Sequence, residues 1–200
     1  MPSLTKFISL AGLAASALAQ SSTAYTDSGI TFQGITAATY DFQIGFVTPP
    51  AGSAQTDEFV AEIVSPSANK WIGIALGGQM VGDLLLVAWP NGNDIVASTR
   101  YTTGYVQPTA YAGPTLTTLS QTSVTDDTWR FVFRCQNCTT WDGGSLDTTG
   151  TPVLAWAVGL TAVDDPSDPQ STFAEHDDFG FWGELFTNAS SSDYASLIGQ

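Results

Sequence analysis

Alternation between apolar and polar positions is the strongest signal along this chain. Tyr40-Asp41-Phe42-Gln43-Ile44-Gly45-Phe46 repeats with period two, the mark of a strand with one face in a core. Trp129-Arg130-Phe131-Val132-Phe133-Arg134-Cys135 does the same and places Trp129, Phe131 and Phe133 on one face. Three continuous apolar runs, 71–76, 84–89 and 153–160, predict strands covered on both faces. Weaker strand candidates lie at 30–35, 59–64, 95–103, 116–124 and 179–186. Turn formers separate them: Pro49-Pro50-Ala51-Gly52, Gly77-Gly78, Pro90-Asn91-Gly92-Asn93, Asp142-Gly143-Gly144 and Asp164-Asp165-Pro166-Ser167-Asp168-Pro169. No window holds a helical apolar stripe for long. Short strands rich in Thr, Val and aromatics at this spacing predict an all-β fold, an antiparallel β-sandwich. Neither an internal repeat nor a dividing linker interrupts it.

The N-terminus follows a different pattern. Lys6 precedes the apolar run Phe7-Ile8-Ser9-Leu10-Ala11-Gly12-Leu13-Ala14-Ala15, which closes in Ala17-Leu18-Ala19, a small-x-small cleavage signature. Residues 1–19 are therefore expected to be a secretory signal and 20–200 the mature domain, an exported, extracellular protein. The run is too short to span a bilayer, and no later stretch approaches about 20 consecutive apolar residues, so no membrane association is expected. The last residues, Ser196-Leu197-Ile198-Gly199-Gln200, do not resemble a lipid-anchor signal. Asn137-Cys138-Thr139 and Asn188-Ala189-Ser190 fit the N-glycosylation pattern, making Asn137 and Asn188 candidate sites.

Charge and composition narrow the chemistry. The 200 residues carry 5 Lys+Arg against 19 Asp+Glu, a formal charge of −14. Binding to a nucleic-acid backbone needs clustered Lys and Arg and is excluded. A single His likewise excludes a three-His zinc site. Beyond residue 19 the basic residues are Lys70, Arg100, Arg130 and Arg134, and the chain keeps one Met, Met80, and one His, His176. Cys135 and Cys138, three apart, fit either a small structural disulfide or a redox dithiol. The dithiol would want a following helix to lower a thiol pKa, and Thr139-Thr140-Trp141-Asp142-Gly143-Gly144 is a poor helix start. Thr139 also breaks the Cys-x-x-Cys-His pattern, so a haem here would be held without thioether bonds.

Met80 and His176 are the residues of greatest chemical interest. Met80 follows Gly77-Gly78-Gln79 directly after an apolar strand, where glycines let a flat ligand approach the backbone. A methionine filling a gap in the core is the plainer reading. His176 lies in Phe173-Ala174-Glu175-His176-Asp177-Asp178-Phe179, where a solvated surface histidine would also fit. Together they supply a thioether sulfur and an imidazole nitrogen, the axial pair of many electron-transfer haems. Far apart in sequence, they must come from different loops, expected to meet at one end of the sandwich.

The segments around these residues resemble a known family. Lys70-Trp71-Ile72-Gly73-Ile74-Ala75-Leu76-Gly77-Gly78-Gln79-Met80, Asp83-Leu84-Leu85-Leu86-Val87-Ala88-Trp89 and Thr103-Gly104-Tyr105-Val106-Gln107-Pro108-Thr109-Ala110-Tyr111 closely resemble the cytochrome domain of fungal cellobiose dehydrogenase. So do Phe133-Arg134-Cys135-Gln136-Asn137-Cys138-Thr139 and the block from Ala162 to His176, and the likeness extends over residues 26–194. The resemblance implies an immunoglobulin-like β-sandwich with a pocket at one end for one non-covalent haem b. It implies Met80 and His176 as axial iron ligands, Trp89 and Phe179 packed against the porphyrin, and Tyr105 donating a hydrogen bond to a propionate. It also implies a Cys135–Cys138 disulfide. The function implied is electron transfer. A flavin- or pyrroloquinoline quinone-dependent sugar dehydrogenase would supply single electrons, and a lytic polysaccharide monooxygenase, ferric iron or a quinone would accept them. A monomer is expected.

Cellobiose dehydrogenase continues into a flavin domain whose Gly-x-Gly-x-x-Gly fingerprint opens a helix after a strand; this chain has no such segment. It is expected to be either a stand-alone cytochrome or the electron-transfer part of a longer protein. The main rival is a carbohydrate-binding β-sandwich, suggested by six Trp and six Tyr, although Trp71, Trp129 and Trp156 fall inside strand runs and are expected in the core. A glycoside hydrolase would need a defined carboxylate pair, which nothing in the sequence selects. A calcium site in Asp164-Asp165-Pro166-Ser167-Asp168 departs from the EF-hand spacing, and a solvated acidic turn is the preferred reading.

Overall fold

Each apolar run read from the sequence becomes a strand in the computed structural model, which describes residues 20–199. The expected leader, 1–19, lies outside the described residues. The strands are β1 (Gln20–Ser21), β2 (Thr23–Asp27), β3 (Ile30–Ala37), β4 (Phe42–Val47), β5 (Glu58–Pro66), β6 (Trp71–Ala75), β7 (Leu85–Asn91) and β8 (Asp94–Tyr101). They continue as β9 (Thr109–Ala110), β10 (Thr115–Thr118), β11 (Ser123–Val124), β12 (Thr128–Gln136), β13 (Thr140–Trp141), β14 (Gly144–Ser145), β15 (Val153–Gly159) and β16 (Asp178–Gly183). One sheet has the order β1-β16-β15-β6-β7-β8-β9; the other runs β10-β12-β5-β4-β3-β2, with β11 also paired to β12. All their pairings are antiparallel except β1 with β16. Among the described residues no helix is long and apolar enough to cross a membrane.

Two expected strands differ from their sequence reading. The stretch 116–124 divides into β10 and β11, separated by a turn closed by a bond from the Thr122 N–H to the Leu119 carbonyl. The Thr122 hydroxyl bridges the gap, donating to the Val132 carbonyl and accepting from its N–H, both at 3.0 Å. The stretch 179–186 stops at Gly183, and Phe186–Asn188 forms a 3-10 turn. Strand β2, polar along both faces, carried no apolar signal and is an edge strand.

The core fills the space between the sheets. Phe42, Ile44, Phe46 and Phe131 from one sheet meet Ile72, Ile74, Leu86 and Trp182 from the other, all fully or almost fully buried. Each such side chain contributes about 1.5–3 kcal/mol relative to exposure. The Trp129 indole N–H reaches the Asn69 carbonyl at 3.1 Å, and that of Trp182 reaches Glu184 Oε2 at 2.8 Å. The Cys135–Cys138 disulfide is formed and buried, next to the β13–β14 hairpin. Its burial makes it a structural link rather than an accessible dithiol.

Away from this core, the β5 sheet buries an acid on its outward face. Glu62 lies opposite Gly45, beneath the Tyr25 ring, whose hydroxyl donates to Glu62 Oε1 at 3.2 Å. A Cβ at Gly45 would stand 2.4 Å from that hydroxyl, so only glycine leaves room for it. Burial pushes the Glu62 carboxyl up to about 7, aided by the charge of Asp27, and outweighs the attraction of Arg130, whose Nε lies 3.6 Å away. Burial also raises Glu184 to about 7, against hydrogen bonds from Trp182 and Ser22. Both acids hold a proton more tightly in the folded chain than in the unfolded one, where 4.5 is ordinary. The stability linked to them is complete below about pH 4.5 and is lost as pH rises through about 7. Thermal melts between pH 4.5 and 7.5 should show the melting temperature falling, and Glu62→Gln or Glu184→Gln should each flatten that fall by about 2–4 °C. An unchanged slope in both variants would refute the assignment.

Candidate functional site

The apolar runs 71–76 and 84–89 are buried on both sides because their second face is covered, largely around a cavity, whereas 153–160 is exposed at its ends, Val153 and Leu160. Register fixes which residues point outward from this sheet. Ala75 lies opposite Ala155 on one side and Leu85 on the other, with Phe181 beyond Ala155. The neighbouring row is Phe179, Ala157, Gly73 and Val87. Gly73, Ala75, Ala155 and Ala157 thus form a flat floor of small residues under a cavity of about 700 Å³, within the usual range for small-molecule sites. The nearest atoms to a Cβ built on Gly73 would be Trp71 at 3.5 Å, Ala157 at 3.8 Å and Val87 at 3.9 Å, ordinary contacts, so the floor there would take a methyl group without a clash.

Three loops wall this floor. The first leaves β6 through Gly77 and Gly78 and brings Met80 against Ala75, Leu85 and Ala155. Gly78 has φ +82°, and a Cβ there would sit 2.9 Å from the Val153 carbonyl. Gly77 lies under the carboxylate of buried Asp83, which accepts the Gln79 N–H at 2.7 Å and braces the turn. Burial raises the Asp83 pKa, opposed by these backbone donors. The second wall carries Tyr105, 88% exposed at the rim, with Val106 and Pro108. The third carries Phe173, packed on Trp71 with ring centroids 4.8 Å apart, and His176, edge-on to Phe179 at 5.3 Å.

Met80, Tyr105, His176 and Phe179 therefore all line one cavity. Two expectations need correction. The cavity lies on the outward face of the β16-β15-β6-β7 sheet instead of at an end of the sandwich, because alternation identifies two buried faces without saying which one a second layer covers. Trp89 is not among the lining residues. It shares the face of Leu85 and Val87 but lies farther along β7, fully buried beneath the acidic turn, where its indole N–H donates to the Pro166 carbonyl at 2.9 Å. Trp71, Phe173 and Phe181 supply aromatic wall instead. Their signal was available in outline: Trp71 and Phe181 share parity with Gly73 and Phe179 in paired strands.

The acidic turn is satisfied from within. Asp165 Oδ1 accepts from the Ser167 N–H and hydroxyl, which lower its pKa, and Asp168 accepts from the Gln170 N–H. Among the described residues no group of three His, Cys, Asp or Glu could hold a metal ion. Asn137 and Asn188 are both exposed.

A thioether and an imidazole opening onto one largely apolar cavity, over a floor flat enough for a planar ring, fit the donor set and shape that a bis-ligated haem requires. Such a site on a β-sandwich defines a b-type cytochrome domain. The chain belongs to the family of the cytochrome domain of cellobiose dehydrogenase, whose family model matches residues 25–196. It is 38% identical over 196 residues to a pyrroloquinoline quinone-dependent pyranose dehydrogenase of Coprinopsis cinerea, covering 94% of this chain and 27% of that protein. The crystal structure of the cytochrome b domain of pyranose dehydrogenase from Coprinopsis cinerea matches with a TM-score of 0.83 and 36% identity, covering 89% of this chain and 95% of that one. The cytochrome domain of Myriococcum thermophilum cellobiose dehydrogenase matches at 0.76 and 33%, covering 88% and 94%. Haem binding and electron transfer are what this family implies.

The open floor makes a direct test. Gly73→Leu should leave far-ultraviolet circular dichroism unchanged and weaken haem retention by about tenfold or more, because the new side chain overfills the cavity. Haem transfer to apomyoglobin measures it; an unaltered rate would show that the floor does not contact the ligand.

Proposed function

We propose that this domain is a secreted electron carrier that takes single electrons from a sugar dehydrogenase and delivers them to a one-electron acceptor. The observation that carries the reading is the meeting of Met80 and His176, the one Met and one His of residues 20–200, on a single cavity. Bound non-covalently there, haem b would supply one-electron chemistry. Met80 and His176 would hold the haem iron, the thioether sulfur favouring its reduced state and two protein ligands favouring electron transfer over oxygen chemistry. The small floor would seat the porphyrin close to the backbone, Phe179 would pack on its edge, and the rim hydroxyl of Tyr105 would donate to a propionate.

The donor best supported is a pyrroloquinoline quinone-dependent dehydrogenase, since the match to the pyranose dehydrogenase cytochrome domain exceeds that to the cellobiose dehydrogenase domain in both TM-score and identity. The chain spans about a quarter of the length of that curated relative, which leaves room in such a protein for a dehydrogenase domain. Acceptors suited to an exposed rim are the copper of a lytic polysaccharide monooxygenase, ferric iron or a quinone. The leader pattern in 1–19 and the exposed asparagines Asn137 and Asn188 support export and glycosylation. A sugar-binding platform is less well supported: Trp71, Trp89, Trp129, Trp141 and Trp182 are buried, and half-buried Trp156 packs edge-on against Phe42 at 5.1 Å.

Protein produced with haem available should be red, yield haem b in a pyridine haemochrome assay, and show a low-spin spectrum in both redox states. Met80→Ala and His176→Ala should each convert ferric protein to a high-spin form, with Met80→Ala also lowering the midpoint potential. Absence of haem b would overturn the function, and unchanged spectra in both variants would overturn the ligand assignment.

A further inference from the structure

Arg100 is the most deeply buried cation among the described residues, only 2% exposed. It stands opposite Leu85 in the β7–β8 pairing and so extends the row of outward-facing residues that forms the cavity floor. Each nitrogen of its guanidinium is engaged. Nε donates to Ser98 Oγ at 2.7 Å, Nη1 to the Pro108 carbonyl at 3.1 Å, and Nη2 to the carbonyls of Pro169 at 2.7 Å and Ser171 at 2.9 Å. The ring of Phe173 stacks over it, with Cζ 5.4 Å from the centroid. Among the described residues it forms no ion pair; the nearest influence of opposite sign is the field of Asp168.

These contacts join three separate pieces of the site. Ser98 belongs to the sheet, Pro108 ends the wall that carries Tyr105, and Pro169, Ser171 and Phe173 lead into His176. A buried cation without a carboxylate is costly, and well-formed hydrogen bonds are what offset the cost. Only arginine offers five donors in a rigid fork, so lysine could keep the charge without keeping the geometry.

We propose that Arg100 is a positioning residue for the axial histidine: its guanidinium fork fastens the segment 169–173 to the sheet and so presents His176 to the cavity. The proposal rests on the haem-binding reading above. Without the fork, the acidic loop keeps the Trp71–Phe173 contact, the Trp89 bond to Pro166 and its own bonds from Asp164 and Asp165 to Thr172 and Ser171. Asp177 stays tied to the sheet through the Val158 carbonyl and the Leu160 N–H, but the Pro169 and Ser171 carbonyls lose their anchors before His176. His176 would then reach the iron only part of the time.

The test compares the full chain, with and without haem b, as wild type, Arg100→Gln, Arg100→Lys and Ser98→Ala. Wild type must first bind haem b with a low-spin spectrum; failure there overturns the proposed function and not the role of Arg100. Hydrogen exchange of the haem-free protein should then speed up by about tenfold for amides of residues 169–176 in both Arg100 variants, while β5 and β12 stay protected. The ferric haem-bound variants should gain a high-spin fraction that added imidazole converts back to low spin, a response that general destabilisation would not produce. Ser98→Ala removes only one acceptor and should move both readouts in the same direction by less, which keeps the proposal testable should the Arg100 variants fold poorly. Exchange within about twofold of wild type in the variants that fold would overturn the proposal. So would full recovery of both readouts by Arg100→Lys, since charge alone would then suffice.

Discussion

Burial of one sheet on both of its faces is the constraint on which the rest of this structure depends. Residues of one parity on β6, β7 and β15 close the sandwich core, and residues of the other parity floor the cavity. The inner set is large and branched, as at Ile72, Ile74 and Leu86, because it must fill the space between two sheets. The outer set is reduced to glycine and alanine in its centre, which leaves the cavity above it clear of side chains. The same five residues of β6 therefore close the core and line the cavity at once, and none of them is exposed.

Much of this was legible in the sequence, for a physical reason that also marks its limit. Period-two alternation at 40–46 and 129–135 reports one buried face, and the unbroken runs at 71–76 and 84–89 report two. What covers the second face is a long-range fact, set by loops at Tyr105 and Phe173 that join the sheet from elsewhere in the chain, and local patterns do not carry it. Trp89 illustrates the gap: its parity was right for the cavity, but the turn around Pro166 folds over it and takes its indole N–H. Strand β2 was invisible because an edge strand with polar side chains on both faces leaves no apolar period. Met80 and His176 were found by scarcity and chemistry instead of pattern, and the cavity brings both to one place.

Among the described residues the few cations are spent on internal contacts. Arg130 pairs with Asp27, Arg134 pairs with Glu58 at 2.7 Å, and Arg100 is enclosed. Lys70 reaches only the Ser67 carbonyl at 2.9 Å. Carboxylates therefore dominate the outer surface, and a partner approaching the rim meets a negative field that salt screens. The two strongly shifted acids, Glu62 and Glu184, contribute nothing to that field when protonated, being sealed within the protein.

The bracing of the cavity walls has a kinetic meaning. Asp83 holds the turn before Met80 through the Gln79 N–H, and the opposite wall is tied to the sheet through the carbonyls of Pro169 and Ser171. In the haem-bound form proposed above, side chains held by such hydrogen-bonded supports would move little when the charge at the centre changes by one. The reorganisation energy of that centre would then be small, and electrons could be exchanged in either direction with modest driving force, as the proposed role asks.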